Sequence, residues 1–283
     1  PDKYDLRLAA ADRFLELSDN DDARADVMLG KATVLFAQKK NMEEAEALYI
    51  KVYELCTDYQ DVYQRLVDIY LERKDFEQAL LWAERALEEE GFESIGGYLK
   101  GDVLLAMGRL EESIAVFTEL TETDHYPAEA YFGIAKCHLD AKNYEASSAA
   151  FIQAFETCDY PETHYAYGAG YAYQLSDDPY RAMKWYTKVL DINPTDADAL
   201  NNMAVISLDL NNGWDEALPY LLKAVELSGE AINPSMKTVY YNLWAYHKQI
   251  LDHEQARYYY NLVLKCLGFD DDMAEFLSDT DDD

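Results

Sequence analysis

Positive charge is scarce in this chain. Its 283 residues hold 24 Lys and Arg against 55 Asp and Glu, a formal net charge of −31. A surface of that sign repels nucleic-acid phosphates and anionic lipid heads, so no nucleic acid is expected as a partner and basic protein segments are favoured. Solubility alone would also account for the acid excess. Hydrophobic runs are short: none approaches the roughly 20 apolar residues that span a bilayer, and no apolar N-terminal segment has the form of a secretion signal. No direct membrane insertion is expected. Cysteine is sparse and scattered, at Cys56, Cys137, Cys158 and Cys266 with no C-x-x-C pair. That distribution fits free thiols acting as small hydrophobes in a reducing, cytoplasmic setting.

Catalytic constellations are also missing. The glycines lie apart, without the strand, glycine-rich turn and helix of a phosphate loop. Of the five histidines, His125, His138, His164, His247 and His253, the two nearest in sequence are His247 and His253, and their spacing does not share one helical face. No metal or other cofactor is expected. Cys137 and His138 are adjacent and leave a helix in different directions, so a thiol–imidazole pair would need a partner from elsewhere. An enzyme is the least favoured function class.

What the chain does have is a period. From Ala45 a small residue recurs at Ala79, Ser113, Ser147, Ala182, Ala217 and Ala256, at intervals of 34, 34, 34, 35, 35 and 39 residues. Four positions on stand Tyr49, Phe117, Phe151, Tyr186, Leu221 and Tyr260, with Ala83 the exception. Seven positions on stand Val52, Ala86, Leu120, Ala154, Val189, Ala224 and Val263. Spacings of four and seven make one helical stripe. A second stripe precedes each, clearest at Tyr63, Leu66, Val67 and Tyr70, so each unit reads as two antiparallel helices. Short polar turns join them at Glu72–Asp75, Met107–Arg109, Ala141–Asn143 and Asn211–Gly213. Ile192–Asp196 separates two units, with Pro194 unable to continue one helix and Thr195 or Asp196 able to cap the next. A unit of this length cannot bury its apolar face alone, so units must stack.

These residues resemble the tetratricopeptide repeat family over about residues 26–268. The stretch from Ala182 to Pro194 and on from Ala197 is nearest to the family pattern. The resemblance implies an all-α, right-handed superhelical solenoid of about seven helix-turn-helix repeats with helical end caps. Residues 1–25 are expected to form an N-terminal capping helix or half repeat, 26–268 the array, and 269–283 an acidic C-terminal tail or short cap. The longest interval, before Ala256, predicts a longer loop through Ser228–Pro234, most simply a spacer.

In the family the first helix of each repeat lines a concave groove. Carried onto this sequence, the inward positions are Asp61, Gln64, Asp68 and Glu72 in the second unit, Tyr98 and Asp102 in the third, and Glu129, Phe132, Lys136 and Asp140 in the fourth. Tyr173 and Gln174 follow in the fifth, Asp198, Asn201 and Asp209 in the sixth, and Tyr241, Lys248 and Gln249 in the seventh. Such a groove suits a peptide with Lys or Arg between apolar anchors, its carboxylates pairing with the bases while Tyr98 and Phe132 hold the anchors. Tyr49, Phe151, Tyr186 and Tyr260 are expected to plug between units. The Lys and Asn clamp by which some family members hold a chaperone's C-terminal carboxylate is absent: the ninth positions are Val34, Asp68, Asp102, Lys136, Gly170, Val205 and Ala245.

The function expected is a non-catalytic scaffold or adaptor that binds a protein or peptide in its groove. The alternative is a regulatory or assembly subunit that self-associates, as a homo-oligomer, or holds an enzyme through its edges or caps.

Overall fold

The computed structural model describes residues 3–39, 41–55, 59–122, 127–210, 213–228 and 236–269. Among them are 15 α-helices and no strand, the all-α helical-repeat class that the period implies. They belong to two compact units, Pro1–Ala141 and Lys142–Asp283.

The first unit holds α1 (Lys3–Leu17), α2 (Asp21–Ala37), α3 (Met42–Leu55), α4 (Gln60–Glu72), α5 (Phe76–Glu88), α6 (Glu93–Ala106), α7 (Leu110–Thr121) and α8 (Pro127–Asp140). Each helix packs on the next along the chain, and α4 and α6 also touch, as do α6 and α8. The second unit holds α9 (Tyr144–Thr157), α10 (Thr163–Leu175), α11 (Pro179–Ile192), α12 (Ala197–Asp209), α13 (Trp214–Ser228), α14 (Lys237–Gln249) and α15 (His253–Cys266), again packed in sequence, with α12 touching α14.

Local chemistry fixes where the helices start and stop. The side chains of Asn20 and Asp75 accept the Ala23 and Gln78 N–H groups at 2.9 and 3.2 Å. Asn143, Asp178, Asp196 and Asp252 cap α9, α11, α12 and α15 in the same way. The turn at Met107–Arg109 closes through Gly108 at φ +73°, whereas the turn at Glu72–Asp75 puts Lys74 at φ +59°. Left-handed backbone favours glycine, so the second turn is held by its helices and not by its residue. α1 has no buried residue. The Arg24 guanidinium donates to the Leu15 and Ser18 carbonyls at 2.8 and 2.9 Å, satisfying carbonyls at the C-terminal end of α1.

The periodic small residues are what let the helices close. Ala45, Ala79, Ser113, Ser147, Ala182 and Ala217 are fully buried, and Ala256 nearly so. Four residues after Ser113, the Phe117 ring enters a slot between α6 and α8. A Cβ added at Gly101 or Gly133 would lie 2.5 or 2.6 Å from that ring. The Ser113 hydroxyl donates to the Gly101 carbonyl at 2.7 Å and accepts from the Cys137 thiol at 3.2 Å. In the second unit, Phe151 and Tyr186 stand over Gly168 and Gly170, where a Cβ would lie 2.4 and 3.0 Å from the rings. Tyr49, Phe151 and Tyr186 are the buried plugs expected.

The last plug differs from expectation. Tyr259 is buried, 7% exposed, beside Tyr240 with ring centroids 6.5 Å apart, whereas Tyr260 is half-buried against Trp244 at 5.6 Å. Spacings of three and four from Ala256 lie on the same helical stripe, and the position of Tyr240 selects the first. Expectations for Cys56, His125, Asn211, Asn212, the loop ending at Pro234 and the acidic tail after Phe269 fall outside the described residues.

Candidate functional site

In the first unit the leading helices of the pairs are α2, α4, α6 and α8. Hydrogen bonds join successive ones, between equivalent positions or positions one residue off. The Tyr59 hydroxyl donates to Asp26 at 2.6 Å, the Lys39 ammonium to Glu72 at 3.2 Å and the Lys136 ammonium to Asp102 at 2.8 Å. These pairs lie 33, 33 and 34 residues apart, so the repeat period itself sets the register of this face.

The structure brings the expected residues of this unit onto these helices. Asp61, Gln64 and Glu72 are exposed on α4 and Asp68 is half-buried; Tyr98 and Asp102 are half-buried on α6; Glu129 and Asp140 are exposed on α8, with Phe132 and Lys136 half-buried. Their charges are less available than the sequence suggests. Asp68 accepts from Arg65 Nη1 and from Gln64 Nε2, each at 3.0 Å. Asp102 carries Lys136, whose ammonium also lies 5.1 Å from the Phe132 ring centroid. Asp61 and Asp140 have no ion-pair partner among the described residues. The Tyr98 ring packs 6.4 Å from Phe117, so its body belongs to the core. Partly exposed pairs of this kind contribute only about 0.2–1 kcal/mol each, which leaves them open to exchange for a partner's base.

An apolar set, without the acidic or aromatic signal of the expected residues, lies in the same register. On α2 the second, fifth and ninth positions are Val27, Gly30 and Val34. With Leu8, Ala11 and Phe14 of α1 they line a cavity of about 420 Å³ that Arg7, Ala10 and Lys31 complete. Reading the inward positions of the first repeat for absence of polarity would have found it.

The second unit has a different character. On α10, Tyr173 and Gln174 are half-buried; the Arg181 guanidinium stands 5.4 Å from the Tyr173 ring, and Gln174 Oε1 accepts from the Tyr186 hydroxyl at 2.9 Å. Asn201 is buried and accepts from Asn242 Nδ2 at 2.9 Å, and Asn202 donates to the Tyr167 hydroxyl at 2.9 Å. Asn201 is thus an inter-repeat tie. Asp198 and Asp209 are exposed; desolvation by neighbouring atoms, then repulsion from Asp196, holds the Asp198 carboxyl above its ordinary pKa. Tyr241 is half exposed, 5.1 Å from Trp244, and Gln249 accepts from the Trp214 indole at 2.6 Å. Lys248 lies 5.0 Å over Trp244. The surface is aromatic and amide-rich where the first unit's is acidic.

Among the described residues no three His, Cys, Asp or Glu side chains gather as metal ligands would, and no helix is long and apolar enough to cross a membrane. Cys137 is buried against Ser113, and burial pushes its thiol pKa up, which makes it a core residue and a poor nucleophile.

Sequence profiles of the tetratricopeptide repeat match residues 98–159, 163–196 and 185–218. No curated protein matches the chain significantly. Among solved structures it is similar to the C-terminal part of a TPR repeat-containing protein from Cytophaga hutchinsonii, with TM-score 0.59 and 18% identity, covering 86% of this chain and 96% of that one. It is also similar to PilF of Pseudomonas aeruginosa, with TM-score 0.56 and 15% identity over 75% of this chain and 95% of that one. PilW, a type IV pilus biogenesis factor, gives TM-score 0.59 and 15% identity over 73% and 94%. Identities this low speak for the fold alone, a tetratricopeptide-repeat solenoid; the profile matches show that the chain carries tetratricopeptide repeats across residues 98–159 and 163–218.

Proposed function

We propose that the chain is a non-catalytic interaction scaffold whose first unit binds a protein segment carrying basic and apolar residues on the face formed by α2, α4, α6 and α8. The family's general use as a protein-binding scaffold supports the class of function. The observation that carries the specific reading is the acidic ladder on successive leading helices, Asp61 on α4, Asp102 on α6 and Asp140 on α8, interleaved with the half-buried Phe132. Among the described residues two of these carboxylates have no ion-pair partner, and the third holds one that is partly exposed, with 34% and 44% side-chain accessibility for Lys136 and Asp102. A Lys or Arg arriving there gains a charge-assisted hydrogen bond at little desolvation cost.

Pull-down with the full chain, followed by binding of the recovered partner's segments, tests the reading. A basic segment whose affinity falls in Asp61→Asn/Asp140→Asn and falls further in Phe132→Ala supports it. A partner bound equally by both variants counts against it.

A further inference from the structure

Gly30 sits in the middle of α2, where glycine is a poorer helix former than alanine. Every other helix-interior glycine among the described residues has a packing reason: a Cβ there would lie 2.2–3.0 Å from a neighbour. At Gly30 a Cβ would meet nothing within 4 Å. The fold does not require this glycine. What it does is leave open the cavity of about 420 Å³ between α1 and α2, a size within the usual range of binding pockets.

We propose that this cavity is the anchor pocket for a large apolar side chain, aromatic or long aliphatic, of a basic partner segment. The proposal rests on the scaffold reading above and adds, beside the Phe132 contact, a second apolar anchor at a new place. Phe132 lies under the Lys136 ammonium and Tyr98 against Phe117, whereas Leu8, Phe14, Val27 and Val34 present an uncovered apolar wall. Of the two cations that line the cavity, Lys31 is already matched by Asp12 and Glu44, each at 2.6 Å, and Arg7 is exposed with no ion-pair partner among the described residues, so the segment's apolar residue and not its base must enter here.

The neighbouring leading helix carries the complementary charge. The Tyr59–Asp26 and Lys39–Glu72 bonds hold α4 beside α2 in register, so Asp61 and Asp68 occupy on α4 the positions that Val27 and Val34 occupy on α2. Helices bridged by side chains in this way lie on the order of 10 Å apart and an extended chain advances about 3.3 Å per residue. A segment anchored in the cavity therefore presents its basic residue to Asp61 about three positions farther along.

The test uses the full chain to select binders from a random-peptide phage library, then measures the enriched peptides against Gly30→Leu and Gly30→Ala. Enriched peptides should share a large apolar residue with Lys or Arg about three positions away. Gly30→Leu should weaken them at least tenfold and Gly30→Ala severalfold, with thermal midpoints no lower than wild type because the added atoms enter open space and improve helix propensity. Peptides that bind both variants as tightly as wild type, yet lose affinity in Phe132→Ala, overturn the pocket while leaving the scaffold reading in place. Failure to enrich, or enrichment of acidic peptides, overturns both. A dimer in light scattering that Gly30→Leu dissociates makes the occupant a second copy and overturns the proposed partner.

Discussion

The ammonium of Lys136 stands 2.8 Å from the carboxylate of Asp102, at the same position of the preceding repeat. The two residues were both expected to face a ligand, and they face each other. Lys136 therefore competes with any incoming base for Asp102. Lys136→Met should tighten a basic peptide two- to fivefold while lowering stability by less than about 1 kcal/mol. Titration calorimetry and denaturant unfolding of the same variant check both halves.

Phe117 fills a slot that exists because residues 101 and 133 lack side chains. Gly133→Ala gains helix propensity but drives a Cβ to 2.6 Å from the ring, and overpacking of this kind costs about 1–3 kcal/mol. Phe117→Leu shortens the plug, so combining it with Gly133→Ala should destabilise less than the sum of the single changes. Urea unfolding of the two single variants and the double variant measures the coupling. Additive effects would mean that the ring and the glycine do not share this space.

Alkaline pH should loosen the first unit. Burial, with Glu89 nearby, raises the Tyr63 hydroxyl to about 12, and burial together with Glu46 does the same for Tyr70. Both side chains ionise near 10 when unfolded, so the native state holds its protons more tightly. The stability this provides is complete below pH 10 and is lost as pH rises from 10 through 12. Unfolding midpoints should fall over that window, with tyrosinate absorbance developing as the structure is lost. A flat profile would contradict the burial of these hydroxyls.

Ending the chain at Ser228 removes α14 and α15 and divides a core in which Leu200, Leu221, Met236, Tyr240, Leu243 and Tyr259 pack together. The truncated chain should keep its remaining helicity and unfold at a lower temperature. Circular dichroism against temperature decides this, and an unchanged midpoint would show that the terminal pair adds nothing to the stack.

The sequence made the pairing of helices readable because one small residue per repeat must be buried for two helices to approach, and Ala45, Ala79 and Ser113 are all fully buried. It also placed Phe151 and Tyr186 correctly. It could not choose between Tyr259 and Tyr260, since both fit the stripe and the choice depends on where Tyr240 lies across the pair. Nor could it see that Arg65 occupies Asp68, or that Asn201 is tied to Asn242, because register positions say which face a residue is on and not which neighbour it meets. The cavity beside Gly30 escaped for a further reason: its signal is the absence of side-chain atoms.

On the scaffold reading, the leading-helix face of the first unit receives a basic, apolar-anchored segment. Chemical-shift mapping of the full chain with the recovered partner segment tests it most directly. Perturbations should cluster at Asp61, Asp102, Phe132 and Asp140, and Phe132→Ala should weaken binding more than either Asp61→Asn or Asp140→Asn, since an anchored aromatic contributes about 2 kcal/mol or more and an exposed ion pair about 0.2–1 kcal/mol. Perturbations confined to α3, α5 and α7, with affinity unchanged in all three variants, would contradict it.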